Sequence, residues 1–211
     1  MGELAGALPE SDLERTVPAT PKWTVKDLIA HVAGIASDIV DGNVADAGRP
    51  EWTAAQIEAA RPLSLDEILA AWDESSAQVE PMLDTIHPTA AALTVGDLVV
   101  HEHDLRGAIG DRGGRDSDRL TIALAAYVRR FGKRVKDAGL PTVRVVAGEN
   151  EWNAGLETPK IELRDDPFEV FRAITGRRTK DEIRKLGWDG DPGPYVDLVS
   201  AYEHPSESLE E

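Results

Sequence analysis

The side chains best suited to chemistry lie in the segment TVGDLVVHEHDLRGAIG, residues 94–110. Asp97 and His101 are four residues apart, so on a helix both side chains project from one face. His31 lies on the apolar face of an earlier helical segment and is expected to point inward. Two imidazoles and a carboxylate are a ligand set that binds a divalent metal and keeps a coordination position open. The sequence therefore predicts a metal centre, with Asp104 one turn beyond His101 to orient that imidazole.

Three alternatives to this interpretation stay open at the level of sequence. A single inward histidine such as His31 is more often a hydrogen-bonded core residue than a ligand. Thr94 and Asp97 have the spacing of a capping box, so the carboxylate would then only cap a helix and no metal would bind. His103 lies on another side of the same helix and is the rival of His101 for the second imidazole.

Two arginines further along the chain are the candidates for holding an anionic substrate group. Arg177 and Arg178 come just before a predicted helix start, although a solvated pair is the commoner outcome for such residues. Glu102 and Arg106 have the i,i+4 spacing of an ion pair and are expected on the surface.

Four helices, or three helices and a short stub, are predicted to position the metal ligands in an antiparallel bundle. The first is marked by the capping-box spacing of Thr24 and Asp27, and the second by that of Ser64 and Glu67. Residues 42–62 between these two helices are predicted only as a connection and an unassigned stretch. The predicted spans are about 24–41, 64 to 79 or beyond 81, 90 or 94 to 109, and 117–139.

The pattern changes at Leu140 and Pro141, where a second, smaller α+β domain is predicted. Short strand-like runs at 142–147 and 160–163 flank a turn-rich stretch. Two capped helices then follow, the second marked by the capping-box spacing of Thr179 and Glu182, and a last short helix is expected to run through Leu198. The predicted organisation is a helical bundle over residues 1–139, an α+β domain over 140–203 and an acidic tail over 204–211.

Composition narrows the classes of partner. The 211 residues carry a formal net charge of -16, which repels phosphate backbones, so nucleic acid is not expected as a partner. No run approaches the roughly 18 apolar residues that a membrane span needs, and we expect a cytoplasmic protein. The chain has no cysteine, so any thiol chemistry requires a thiol from outside.

Three strings of the sequence together resemble one known family. The first two are PATPKWTVKDLIAHVAG and, some distance later, DLVVHEHDLRGAIG. They resemble the mycothiol-dependent maleylpyruvate isomerase family, within the DinB-like four-helix metalloproteins. The later segment PFEVFRAITGRRTKDEIRKLGWDGDP is similar to the C-terminal domain of one branch of that family.

The resemblance implies a zinc site whose ligands fall on His31, Asp97 and His101, in a DinB-like four-helix bundle followed by a separate α+β domain. The chain departs from the family at two points. Asp97 stands where glutamate is more usual and is one methylene shorter. Only residues 1–8 precede the loop that leads to the PATPKW segment, so the first bundle helix is expected to be short or missing.

The function that the resemblance implies is a metal-dependent isomerase or thiol transferase that uses mycothiol as a cosubstrate. A metal held by two neutral imidazoles and one carboxylate keeps positive charge and favours the thiolate form of a bound thiol. The electrophilic substrate, and the choice between isomerisation and S-transfer, stay open. The alternative from another class is a non-catalytic metal-binding or ligand-sensing protein that uses the same three ligands.

Overall fold

The computed structural model describes all residues, 1–211, and they fall into two compact units. The N-terminal unit comprises residues 1–91 and 101–111, together with Glu211, and the C-terminal unit comprises residues 92–100 and 112–210. None of the helices is long and apolar enough to cross a membrane.

The N-terminal unit begins with short elements that lead into its first long helix. Helices α1 (Gly2–Gly6) and α2 (Glu10–Leu13) precede an antiparallel pair, β1 (Thr16–Val17) and β2 (Thr20–Thr24). The expectation that the first bundle helix is short agrees with these two elements, which have one or two turns each.

Helix α3 (Val25–Asp41) starts and stops as its sequence predicts. The Thr24 hydroxyl accepts from the Asp27 backbone N–H and the Asp27 carboxylate accepts from the Thr24 N–H, so both halves of the capping box form. Gly42 ends the helix with φ of 73°, a left-handed conformation that glycine adopts without a Cβ clash.

Two further helices pack against α3 in this unit. Helix α4 spans Pro50–Ala60 and lies against α3. Helix α5 spans Leu65–Leu83, begins with the predicted Ser64 and Glu67 capping box, and makes the most extensive contact with α3. Leu28 and Ile29 of α3 and Ile68 of α5 are buried in the core of the unit. The helix α4 was not assigned from the sequence.

Helix α6 (Pro88–Ile109) begins earlier than either predicted start. The His87 imidazole caps it by accepting from the Thr89 backbone N–H, and Pro88 occupies the first turn. Thr94 therefore lies inside the helix, and the interpretation of Asp97 as part of a helix cap is wrong.

The C-terminal unit packs helices against a four-stranded sheet. Its helices are α7 (Asp118–Asp137), α8 (Pro167–Ile174) and α9 (Lys180–Lys185). The strand order is β4-β3-β5-β6, with β3 (Val143–Ala147) parallel to β5 (Ile161–Asp165). Strands β4 (Asn150–Ala154) and β6 (Trp188–Asp189) are antiparallel to their neighbours.

The fold class is confirmed as α+β, with a helical N-terminal region and a small C-terminal sheet. Two local expectations were incomplete or wrong. The stretch 148–159, predicted as turns, contains β4. Residues near Leu198, predicted as a short helix, form turns instead. The domain boundary after residue 139 stays a prediction, and by contacts α7 groups with the sheet and α8 of the C-terminal unit.

Candidate metal centre

Three potential ligands come from two helices and converge. His31 projects from α3, and Asp97 and His101 project from α6. One ligand atom from each lies within 4.8 Å of the other two. Both histidines are buried, whereas Asp97 is half-buried. The predicted trio is therefore brought together in space, and its carboxylate is on the more accessible side.

The His31 imidazole is held by a side chain that the sequence did not point to. Nδ1 of His31 lies 2.7 Å from Oε1 of Gln56, which projects from α4 and is itself buried. Nε2 of Gln56 donates to Oδ2 of Asp38 at 2.5 Å. The only signal for Gln56 in the sequence was a polar residue in the unassigned stretch between two capped helices.

The His101 imidazole has a carboxylate partner on its own helix. Nδ1 of His101 lies 3.1 Å from Oδ2 of Asp104, and both side chains are buried. The contact between these two residues is the one expected from their spacing. Its effect on a bound metal stays a prediction.

Aromatic rings border the histidines. The rings of His31 and His101 meet edge to face with centroids 5.1 Å apart. Trp23, the residue before the N-cap of α3, places its ring 5.1 Å from that of His31 and 6.1 Å from that of His101. Trp52 of α4 lies edge-on to His31 at 6.3 Å. These indoles shield the imidazoles from water on the sides that they cover.

The donor set fits a divalent metal. Ligand nitrogens and oxygens lie about 2.0–2.2 Å from zinc, so the ligands of one ion lie within about 4 Å of one another, close to the spacing seen here. In each histidine it is Nδ1 that meets an oxygen acceptor, Gln56 or Asp104. Such contacts place the lone pair on Nε2 and are typical of metal-binding histidines.

His103 lies outside the group of potential ligands. Its side chain is buried, yet it is not part of the group formed by His31, Asp97 and His101. His101 faces His31, as the helical phase of its spacing from Asp97 requires. Whether His101 binds a metal is left to experiment.

Comparison with known proteins adds the family. The family profile described as the mycothiol maleylpyruvate isomerase N-terminal domain matches residues 1–112, more than half of the chain. The chain belongs to this family. No curated protein matches the sequence.

Solved structures share the fold of this family member. A crystal structure of the mycothiol-dependent maleylpyruvate isomerase superposes with a TM-score of 0.58 at 14% identity, covering 83% of each chain. A mutant of that isomerase, with a histidine replaced by alanine, gives a TM-score of 0.57 at 13% identity, covering 83% of this chain and 82% of that one. At such low identity the likeness concerns the fold alone.

The ion pair of Glu102 and Arg106 is less exposed than its sequence spacing predicts. Glu102 and Arg106 do form an ion pair, with 2.9 and 3.1 Å contacts, but Glu102 is buried rather than on the surface. Its other carboxylate oxygen lies 3.5 Å from the amino group of Met1. Glu102 therefore links α6 to Met1 as well as to Arg106.

The two candidate arginines lie between α8 and α9 in the C-terminal unit. Arg177 donates to the Thr175 carbonyl at 2.6 Å. Arg178 donates to both carboxylate oxygens of Glu169, at 2.7 and 3.0 Å. Both side chains are buried, so they are not the solvated pair of the alternative. Substrate binding by either arginine stays a prediction.

Proposed function

We propose that this chain is a metal-dependent enzyme that activates a low-molecular-weight thiol, mycothiol, for reaction with a small electrophilic substrate. The reaction is isomerisation, as in maleylpyruvate isomerase, or S-transfer. Membership of the mycothiol maleylpyruvate isomerase family supports the thiol and the substrate class. The absence of cysteine from the chain fits a thiol supplied by a cosubstrate.

One observation carries the metal dependence: the convergence of His31, Asp97 and His101, with ligand atoms within 4.8 Å of one another. Gln56 and Asp104 accept hydrogen bonds from the Nδ1 atoms, so both imidazoles are oriented to bind a metal through Nε2. With one carboxylate the protein supplies a single negative charge. Half-exposed Asp97 marks the side from which small molecules would approach.

A divalent metal in this ligand set, which we propose to be zinc, would supply a net positive charge that lowers the pKa of a coordinated thiol toward neutrality. The protein's own contribution is to hold the ligands and exclude water around them. Trp23 and Trp52 cover the His31 ring on two sides. Arg177 and Arg178 are the proposed contacts for the carboxylates of the substrate, a role to be tested separately.

Metal content is the first test of this proposal. Elemental analysis of tag-free protein is expected to find about one zinc per chain in the wild type. His31→Ala, His101→Ala and Asp97→Asn should each lose it. His87→Ser is the matched control, because His87 is an exposed histidine at the start of the same helix as His101 and serine can still cap that helix. No zinc above background in the wild type would refute the proposal.

Product analysis then tests the chemistry. The zinc-loaded protein is incubated with mycothiol and maleylpyruvate, and both compounds are followed. Isomerisation gives a new product and returns the thiol unchanged, whereas S-transfer consumes one thiol for each product formed. Activity that needs both zinc and mycothiol, and that is lost in His101→Ala, is expected. Equal turnover without the thiol would contradict the proposal.

A further inference from the structure

We infer that Gln56 is a positioning residue, which holds His31 with its proton on Nδ1 so that Nε2 is the ligand atom. The inference deepens the proposed function, because it rests on His31 being a metal ligand. It assigns a role to α4, a helix that contributes none of the three ligands. It also assigns a role to Asp38, at the far end of the same hydrogen-bond chain.

The amide of Gln56 can adopt only one useful orientation in this site. A carboxylate only accepts hydrogen bonds, so the Gln56 group that lies 2.5 Å from Oδ2 of Asp38 is the NH₂. Asp38 is held in turn by Asn43, whose Nδ2 donates to Oδ1 of Asp38 at 2.7 Å. A flipped amide would place its oxygen against the carboxylate and its NH₂ against His31. Asp38 therefore directs Oε1 of Gln56 toward the imidazole.

The orientation of that amide determines which ring nitrogen of His31 carries the proton. An amide oxygen only accepts, so Nδ1 of His31, 2.7 Å away, has to carry the proton. In a neutral imidazole the lone pair is then on Nε2. Free histidine in water favours the opposite tautomer, with the proton on Nε2. The protein thus holds His31 in the tautomer that metal binding through Nε2 requires.

Packing brings the stem of Gln56 close to α3. Gly34 lies one turn after His31 on α3, and a Cβ built on it would be 2.7 Å from both Cβ and Cγ of Gln56. Only the absence of a side chain at position 34 lets the Gln56 stem approach α3 so closely. Trp52, one turn before Gln56 on α4, donates from Nε1 to the Asn43 carbonyl at 2.9 Å, which ties α4 to the end of α3.

A cavity lies beside Gln56, so packing alone does not hold its amide against the His31 imidazole. It has a volume of about 260 Å³, and its lining includes six alanines of α3, α4 and α5 along with Gly34, Asp38 and Gln56. A side chain at position 56 without a polar partner would have room to turn away from His31. The two hydrogen bonds of Gln56, rather than tight packing on every side, hold the amide against the imidazole.

The tautomer can be read in the metal-free protein. Long-range ¹H–¹⁵N spectra of chelator-treated wild type are expected to show a pyrrole-type Nδ1 and a pyridine-type Nε2 for His31, assigned by loss of the signals in His31→Ala. The Nε2-protonated pattern in the wild type would overturn the inference. Because no metal is present, this result is independent of whether the protein binds zinc.

A set of variants tests the hydrogen-bond chain. Gln56→Leu keeps the size of the side chain and removes the acceptor. It is expected to shift His31 toward the Nε2-protonated form and to weaken zinc binding by roughly 10- to 100-fold, the usual effect of losing such a partner. Gln78→Leu on α5 is the matched control, because Gln78 is exposed and makes only a 3.4 Å backbone contact.

A double replacement that exchanges the carboxylate of Asp38 and the amide of Gln56 is expected to restore the hydrogen-bond chain to His31. In Asp38→Asn/Gln56→Glu the new amide donates to the new carboxylate, which still accepts from Nδ1 of His31. We expect the wild-type tautomer and a zinc affinity at least equal to that of wild type, because a carboxylate partner makes His31 a stronger electron donor, whereas Gln56→Glu alone faces the Asp38 carboxylate and should be impaired. Unchanged zinc affinity and tautomer in Gln56→Leu would overturn the inference. A wild type with the expected tautomer but no zinc would refute the proposed function and leave the role of Gln56 in setting the tautomer intact.

Discussion

The two histidines of the candidate centre have chemically different partners. His101 donates to the Asp104 carboxylate, and His31 donates to the neutral Gln56 amide. A carboxylate partner makes an imidazole a stronger electron donor than an amide partner does. His101 is therefore expected to be the stronger of the two imidazole ligands, and the overall charge at the centre stays more positive than with two carboxylate partners.

Replacing the partner of His101 tests this difference. In Asp104→Asn the new amide oxygen can still accept from Nδ1, as Gln56 does for His31, so the tautomer is kept while the charge is lost. We expect zinc affinity to fall by about tenfold, the lower end of the usual range for such partners. Competition with a chromophoric chelator measures the change. Asp73→Asn, at an exposed position of α5, is the control, and an affinity equal to wild type in Asp104→Asn would contradict the prediction.

The convergence of the three candidate ligands could be predicted from the sequence because their residue types and spacing carry the information. The i,i+4 spacing of Asp97 and His101 and the inward face of α3 are local properties. Gln56 could not be found in this way, since its role depends on a contact between residues 25 positions apart. The capping alternative for Asp97 was wrong because α6 already begins at Pro88, with His87 as its cap.

At the scale of elements, α3 has to satisfy two demands at once. It presents His31 to the centre, and at Gly34 it lets α4 come close enough for Gln56 to reach that histidine. A glycine inside a helix is costly by itself, by about 1 kcal/mol relative to alanine. Close approach of α4 is the structural reason for accepting that cost at this position.

Gly34→Ala is expected to destabilise the protein, contrary to helix propensity. The added methyl would lie 2.7 Å from the Gln56 Cβ and Cγ, atoms near the backbone of α4 that cannot simply rotate away. Overpacking of this kind costs about 1–3 kcal/mol, which exceeds the gain of about 1 kcal/mol from propensity. Thermal unfolding should therefore show a lower melting temperature, and zinc affinity should fall with it. A melting temperature above that of wild type would show that α4 can move away freely.

The capping boxes were the best sequence signals for the elements. Those at Thr24, Ser64 and Thr179 all form as predicted. Helix α4 and strand β4 lack such signals: α4 has few apolar residues on one face, and β4 is the polar run NEWNA. Helix α4 packs against α3, and strand β4 packs against β3 and α7. These contacts stabilise the two elements, so the local sequence pattern alone does not predict them.

The cap of α5 gives a prediction with a pH dependence. Hydrogen bonds from the Ser64 backbone N–H, 2.7 Å away, and from its hydroxyl lower the pKa of the Glu67 carboxyl below its usual value. A lowered pKa in the folded state means that ionised Glu67 stabilises the fold above its unfolded-state pKa. This contribution is lost as the pH falls through the folded-state pKa.

Glu67→Gln should therefore be less stable than wild type at pH 7, while the difference in the free energy of unfolding shrinks as the pH falls through the lowered folded-state pKa of Glu67. Glutamine can still accept from Ser64, so the comparison isolates the charge. Urea unfolding at a series of pH values measures the effect. Glu80→Gln, at an exposed position in the last part of the same helix, is the control. A difference that grows toward low pH would have the wrong sign for this explanation.

At the scale of the whole molecule, α6 is the element that both compact units use. Residues 92–100 group with the C-terminal unit and residues 101–111 with the N-terminal unit. In the C-terminal unit, Val99 and Val100 belong to the same buried cluster as residues of α7 and the sheet. Gly96 approaches Tyr127 of α7 so closely that a Cβ would lie 2.8 Å from the ring. The family profile matches residues 1–112. We nevertheless expect that these residues do not fold as an independent domain, because part of α6 packs in the C-terminal unit.

Fragments of the chain test this sharing of α6. A fragment of residues 1–112 leaves Val99 and Val100 without the cluster that buries them, and we expect it to bind a hydrophobic dye and to unfold with low cooperativity. A fragment of residues 1–139, the predicted first domain, regains α7 over Gly96 and should be more stable than 1–112. It should be less stable than the full chain, because α7 also packs against β4 and α8. Thermal unfolding and size-exclusion chromatography rank the three proteins. If residues 1–112 alone melted as cooperatively and at the same temperature as the full chain, α6 would not need its C-terminal contacts, and the N-terminal unit would be an independent domain.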